Sequence, residues 1–207
     1  MTTSTSSFLL LGFVVGIRHA LDADHVAAVV SLATRGGTIA GQARQGALWG
    51  LGHASTLLLV GGACVLLGVA VPREAERWLE AAVGAMLVLL GASVFLRLRR
   101  TRIHVEAHSH ARVPAQALLV GAVHGLAGSG ALVLLVAQTA ETPAIGLVGI
   151  ASFGLGSILG MMSLAAAIAW PLNATAPLRG RLHQVLCGGA GAFSLLLGAR
   201  MIRDFAA

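Results

Sequence analysis

The chain has 207 residues, of which 57% are hydrophobic and 11% charged, with a formal net charge of +6. A soluble protein of this size needs about 25% charged residues to cover its surface, so a water-soluble globule is excluded and most of the surface is expected to face lipid. Every basic residue is Arg and most stand just outside apolar stretches, so the positive charge is a signal of membrane topology and not of a nucleic-acid partner.

A bilayer core of about 30 Å takes roughly 20 apolar residues per helix, and the chain offers six such runs, near residues 8–33, 46–71, 78–96, 115–138, 144–170 and 182–201. They are continuous and not alternating, which predicts helices and disfavours a β-barrel. Residues 1–7 are polar but uncharged. The basic n-region of a cleavable signal peptide is missing, and the first span is expected to be retained. If the spans alternate sides, the connections after spans one, three and five hold Arg35, Arg44, Arg97, Arg99, Arg100, Arg102, Arg112, Arg179 and Arg181. The other side holds Arg73, Arg77, Arg200 and Arg203. The positive-inside bias then predicts a multi-pass protein of the cytoplasmic membrane, with residues 98–113 in the cytoplasm and both termini outside.

The first span contains the most informative segment. Arg18, His19, Asp22, Asp24 and His25 put five ionisable or metal-binding side chains within eight residues of apolar sequence. A charge at the bilayer centre costs at least about 2.5–3.5 kcal/mol on insertion scales, so these groups need partners, water or a bound cation. On a continuous helix His19, Asp22 and His25 share a face about 120° wide while Asp24 points away. Two imidazoles and a carboxylate on one face make a half-site for nickel, cobalt, zinc or copper; magnesium and calcium prefer oxygen alone. Asp24 is expected to orient one of the His rings, or to pair with Arg18, as Asp22 could. The alternative is a structural ion-pair network of Arg18, Asp22 and Asp24 with no ligand, which leaves the two His unexplained.

The second span contributes His53, beside Gly50 and Gly52, whose small size allows close helix approach. Taken alone His53 reads equally well as a hydrogen-bonded interior His; the half-site one span away favours a ligand. Ser55 and Thr56 are expected to bond back to the helix carbonyls or to act on the site from outside. Cys64 and Cys187 stand in apolar spans with no paired spacing and read as buried structural thiols. Glu80 and His183, at span ends, read as interfacial.

Between spans three and four, His104, His108 and His110 make a short His-rich loop, which reads either as a loose metal-binding segment or as a solvated linker. The fourth span opens with His124, followed by Gly125, Gly128, Ser129 and Gly130. These glycines are explained equally by a broken helix or by close packing.

The chain also repeats itself. Residues 15–21 match 120–126, with His19 falling on His124. Trp49-Gly50-Leu51-Gly52 matches Phe153-Gly154-Leu155-Gly156, and Gly84 to Ala92 resembles Gly191 to Ala199, all at a nearly constant offset. Halves with an odd number of spans enter the membrane in opposite senses, the inverted-repeat plan that places a substrate site between them near the midplane. Ala127 and Ser129 replace the two Asp, so the first half is expected to supply charge and the second small-residue backbone, with His124 completing the coordination shell.

At these residues the chain resembles the nickel/cobalt permease family, whose hallmark is a His and Asp element in a membrane helix, here His19-Ala20-Leu21-Asp22-Ala23-Asp24-His25. Leu51-Gly52-His53-Ala54-Ser55-Thr56 looks like that family's second motif. His124-Gly125-Leu126-Ala127-Gly128-Ser129 looks like the short branch associated with urease accessory genes. The resemblance covers the full chain and implies nickel, less often cobalt, moved without ATP hydrolysis, with His19, Asp22, Asp24 and His25 important for transport. The chain has fewer spans than the longer members and lacks a Thr-Asp-Thr element in its later helices.

The expected protein is therefore an all-α integral membrane permease of about six helices in a 3+3 inverted repeat. One domain fills residues 1–207, with repeats over 8–97 and 114–204 joined by the loop at 98–113. Its expected substrate is Ni2+ or Co2+, taken up across the membrane with no prosthetic group. Its metal residues are His19, Asp22, Asp24, His25, His53 and His124, tuned by Arg18, Ser55 and Thr56. Efflux, or delivery of metal to urease or hydrogenase maturation without transport, are the alternatives, and a homo-oligomer is left open. A metal-dependent membrane hydrolase is disfavoured because neither HExxH nor GxSxG is present.

Overall fold

A computed structural model describes residues 5–100, 112–128, 140–175 and 181–206, all in helices or the connections between them. In chain order these are α1 (Thr5–His19), α2 (Ala23–Ala33) and α3 (Ile39–Thr56), which runs through a π-helical turn (Leu57–Gly61) into α4 (Gly62–Leu67). There follow α5 (Arg73–Arg100), α6 (Arg112–Ala127), α7 (Pro143–Thr175) and α8 (Arg181–Ala206). Among the described residues, four stretches are long and apolar enough to cross a membrane: Ile39–Leu67, Arg73–Arg99, Pro143–Thr175 and Arg181–Ala206. A fifth is the pair α1 and α2, bent by 54°. The described part of the expected fourth span is α6; residues 129–138, together with His104, His108 and His110 of the loop, lie outside the described residues. The protein is an all-α, multi-pass membrane protein.

Helix starts follow the local chemistry. Gly36 (φ 78°) and Gly37 (φ 117°) turn the chain after α2 through conformations that a side chain rarely adopts. The Thr38 hydroxyl then accepts the Gly41 N–H at 3.0 Å and caps α3. That cap starts the helix at Ile39, ahead of the apolar run expected from Gly46, so the polar Gln42 and Gln45 are helical as well. At α7 the Thr142 hydroxyl accepts the Ile145 N–H at 3.3 Å, and Pro143 takes the first helical position, where its missing N–H is harmless. Glu74 and Glu76 in the first turn of α5 complement the positive end of its dipole.

The helices meet at glycines. A Cβ on Gly16 would run into the Phe153 carbonyl and one on Gly156 into that of Phe13, so α1 and α7 touch backbone to backbone. The α3–α6 crossing is built the same way: a Cβ on Gly121 would run into the Trp49 carbonyl and one on Gly52 into that of Leu118. Between α3 and α7 a Cβ on Gly50 would lie 2.7 Å from Ile158 Cα, and one on Gly154 2.9 Å from Ala54 Cβ. In the α5–α8 pair Gly84 faces the Gly198 carbonyl and Gly91 the Gly191 carbonyl. In lipid, where burial of apolar surface does not drive helices together, this close van der Waals approach does.

Polar bonds between helices add to it. Ser31 and Ser194 share a hydrogen bond of 2.7 Å, and the Ser194 hydroxyl is also within 2.7 Å of the Ala27 carbonyl, joining α2 to α8. Arg35, just after α2, donates to Gln116 Oε1 on α6 at 2.6 Å. Both cysteines are free thiols; Cys187 is buried as expected, whereas Cys64 is half-exposed on α4. The principal core, with Ala20, Ala27, Ala28, Trp49, Leu87 and Met161 fully or almost fully buried, lies directly against the polar residues of the first span.

Candidate metal centre

The first span is not one helix. α1 ends at His19, and the chain passes through Ala20 and Leu21 with the Leu21 N–H on the Arg18 carbonyl at 2.9 Å and the Asp22 N–H on that of His19 at 3.0 Å. Asp22 is extended (φ −63°, ψ 149°), and α2 starts at the next residue. Asp is a favoured helix-start residue, yet the Asp22 side chain makes no cap bond. Its carboxylate reaches back to His19 Nδ1 at 2.7 Å. Asp24 instead serves the start of α2, accepting the His25 N–H at 2.9 Å. Broken helices at membrane depth occur where the freed backbone lies within protein or lines a cavity.

The break corrects the expected geometry. On a continuous helix Asp22 would share a face with the two His and Asp24 would point away; here the 54° bend turns both. Asp22 lies on the outer side of His19 with its side chain 56% exposed. Asp24 turns inward, with Oδ1 3.0 Å from His25 Nδ1 and Oδ2 3.8 Å from His124 Nε2.

Four imidazoles from four helices converge on this point. The His19 ring centroid lies 4.6 Å from that of His25 and 5.2 Å from that of His53, and His25 lies 5.3 Å from His53 and 4.8 Å from His124. Glycine makes room for them: a Cβ on Gly125 would meet the His53 backbone, and one on Gly128 would stand 3.8 Å from His19 Nε2. Trp49 stacks on His25 at 5.6 Å and meets His124 edge-on at 5.3 Å, and Phe153 flanks His19 at 5.2 Å. His25, His53 and His124 are 2%, 0% and 2% exposed.

Hydrogen bonding orients these rings toward one another. Carboxylates and carbonyls only accept, so His19, His25 and His124 each donate Nδ1–H: His19 to Asp22, His25 to Asp24, and His124 to the Val120 carbonyl at 3.2 Å. In the neutral ring Nε2 is then a bare lone pair, the arrangement in which metal-ligating imidazoles are held by their outer partners. His25 Nε2, His124 Nε2 and both nitrogens of His53 are buried without a hydrogen-bond partner. A buried polar atom left unpaired costs about 1–3 kcal/mol, and four of them stand together here. The donors fall into two groups, His19, His25 and His53, and Asp24, His25 and His124, with the donor atoms of each group within 4.8 Å of one another. Imidazole nitrogen with one carboxylate oxygen suits nickel, cobalt, copper or zinc.

The remaining candidates lie outside the cluster. Arg18 is exposed, and no ion pair joins it to Asp22 or Asp24. Ser55 is exposed, and Thr56 donates to the Gly52 carbonyl at 2.9 Å, the back-bond expected of it. Glu80 is exposed, and His183 bonds to Thr175 Oγ1 at 3.2 Å far along the chain from the cluster. The sequence reading missed Trp49 as a wall of the site. The signal was present, since Trp49 and His53 stand four apart on α3 and so share a helix face.

Residues 5–150 match the family described as high-affinity nickel-transport protein. The chain is 36% identical over 203 residues to the urease accessory protein UreH of Bacillus sp. (strain TB-90), covering 93% of this chain and 89% of that protein. It is 38% identical over 98 residues to the hydrogenase nickel incorporation protein HupN of Bradyrhizobium diazoefficiens, covering 43% of this chain and 25% of that one. No solved structure matches it. The buried imidazole cluster and the match over most of the chain agree, and the chain belongs to the high-affinity nickel-transport protein family.

Proposed function

We propose that this protein is a secondary permease that takes up Ni2+ across the cytoplasmic membrane, and that His19, Asp24, His25, His53 and His124 bind the ion on its way. The observation that carries the proposal is the set of buried, unpartnered ring nitrogens on His25, His53 and His124 facing one another inside an apolar protein. Asp22 acts indirectly, by holding the His19 ring through Nδ1. Arg18 contributes only charge at the rim.

The route is a rocking of two inverted halves, residues 8–97 and 114–204, around the cluster. Support comes from the paired glycine contacts: Gly16 on Phe153 recurs as Gly121 on Trp49, and Gly50 on Ile158 as Gly154 on Ala54. Inverted halves place a substrate site at their interface, and the imidazoles come from both: His19, His25 and His53 from the first, His124 from the second. Both termini face outward and the loop at 98–113 faces the cytoplasm, supported by its arginines. The names of the two relatives, a urease accessory protein and a hydrogenase nickel incorporation protein, support a role in supplying nickel to enzyme maturation.

The test is radioactive Ni2+ uptake into proteoliposomes holding purified protein, with Co2+ and Zn2+ as competitors. Saturable inward flux that is lost in His25→Ala is the expected result. Binding without flux would mark a metal-delivery protein, and flux only out of preloaded cells would mark an exporter.

A further inference from the structure

We propose that the ion occupies two overlapping positions in turn and that His25 belongs to both. This rests on the reading above and concerns how the ion moves within the cluster. The donors do not form one shell. Among the described residues they divide into His19, His25 and His53 on one side and Asp24, His25 and His124 on the other. His53 touches the first group and Asp24 reaches only the second, where its Oδ2 is 3.8 Å from His124 Nε2.

Metal–imidazole bonds are about 2.0–2.1 Å long, so two donors on one ion stand at most about twice that apart. Each group comes within a few tenths of an ångström of that limit, since its donors lie within 4.8 Å of one another. The chemistry of the two positions differs. The first is three neutral imidazoles; the second has two imidazoles and a carboxylate, whose negative charge favours a dication more strongly. A permeant ion needs binding that is favourable enough to enter yet divided enough to leave. A ligand shared between two positions lets the ion exchange one partner at a time without ever being stripped. The wall supports the same picture: Trp49 lies against both His25 and His124 and Phe153 against His19, so both positions are closed by apolar rings.

The experiment uses the full chain, purified in detergent for Ni2+ binding by equilibrium dialysis and in proteoliposomes for flux, with X-ray absorption to count imidazoles on bound Ni2+. His53→Ala removes a donor from the first position only and His124→Ala from the second only. Each is expected to keep Ni2+ binding within about tenfold of the wild type while net flux falls at least about tenfold. The bound ion should show two imidazoles and a carboxylate in His53→Ala, and three imidazoles without carboxylate in His124→Ala. His25→Ala should lose binding at least about 100-fold.

If His53→Ala and His124→Ala lose binding as completely as His25→Ala, the donors act as one shell and the proposal is overturned. Unchanged flux in either variant overturns it as well. His53→Asn and His124→Asn, closer in size, replace any alanine variant that elutes as aggregate. A wild-type protein that binds no Ni2+ would instead defeat the permease reading itself, an outcome distinct from either of these.

Discussion

Gly16 and Gly121 do the same work in the two halves of the chain: each lets a first helix lie on the backbone of the neighbouring second helix, at Phe153 and at Trp49. A few residues farther on the halves part. After Gly16 come His19, Asp22, Asp24 and His25 with a broken helix; after Gly121 comes His124 in α6, which ends at Ala127. Second helices diverge in the same way. Their glycines correspond, but where α3 offers His53, the equivalent distance along α7 brings Ser157, buried and within 3.3 Å of the Gly16 carbonyl. Packing tolerates only small residues where backbones cross, so both halves keep them. The imidazole and carboxylate donors of the cluster, by contrast, are unevenly shared: among the described residues His19, Asp24, His25 and His53 precede residue 98 and only His124 follows it.

The contrast can be broken at its strongest point first. His25→Ala removes the donor common to both groups, and Ni2+ flux is expected to fall at least about 100-fold with the protein still eluting as a single species. Asp24→Asn should follow, at about 10–100-fold, because it weakens a donor and the bond that orients His25. Asp22→Asn should cost less, up to about tenfold, since Asp22 acts only through His19. Equal losses for the two Asp variants would show that the bend does not separate their roles.

Packing gives the next largest effect, and it should be symmetrical. Gly16→Val and Gly121→Val each force a Cβ into a backbone carbonyl, and each is expected to destabilise the protein by about 1–3 kcal/mol, read as a lowered Tm in detergent. A loss in one and not the other would separate the halves structurally as well as chemically. Ser157→Ala should be the mildest, costing roughly 0.6 kcal/mol for one hydrogen bond between membrane helices and leaving Ni2+ binding unaltered.

Acid should weaken Ni2+ binding. The ion needs a bare Nε2, and protons compete for it only in the free site, so apparent affinity falls as pH drops and rises as pH increases. Ni2+ binding measured at successively lower pH checks the sign.

Much of this was open to reading in the chain itself. Composition alone required lipid-facing helices, because 11% charged residues cannot clothe a soluble surface. Gly50 and Gly52 marked one crossing, and the cost of charge in the bilayer singled out the segment from Arg18 to His25 and, beside it, His53 and His124. Those inferences depend on local chemistry and on spacing within one element, which a sequence carries directly. Which carboxylate faces the cluster did not depend on them. A helical wheel selects Asp22 only if the helix continues, and here it stops, because the freed backbone groups find partners within the turn and the two carboxylates find separate imidazoles. The wall of Trp49, the orphaned nitrogens of His25, His53 and His124, and the division of donors into two groups all arise from residues on different helices brought within a few ångströms. Only the tertiary structure decides such distances, since they are set by how closely glycine allows four helix backbones to approach.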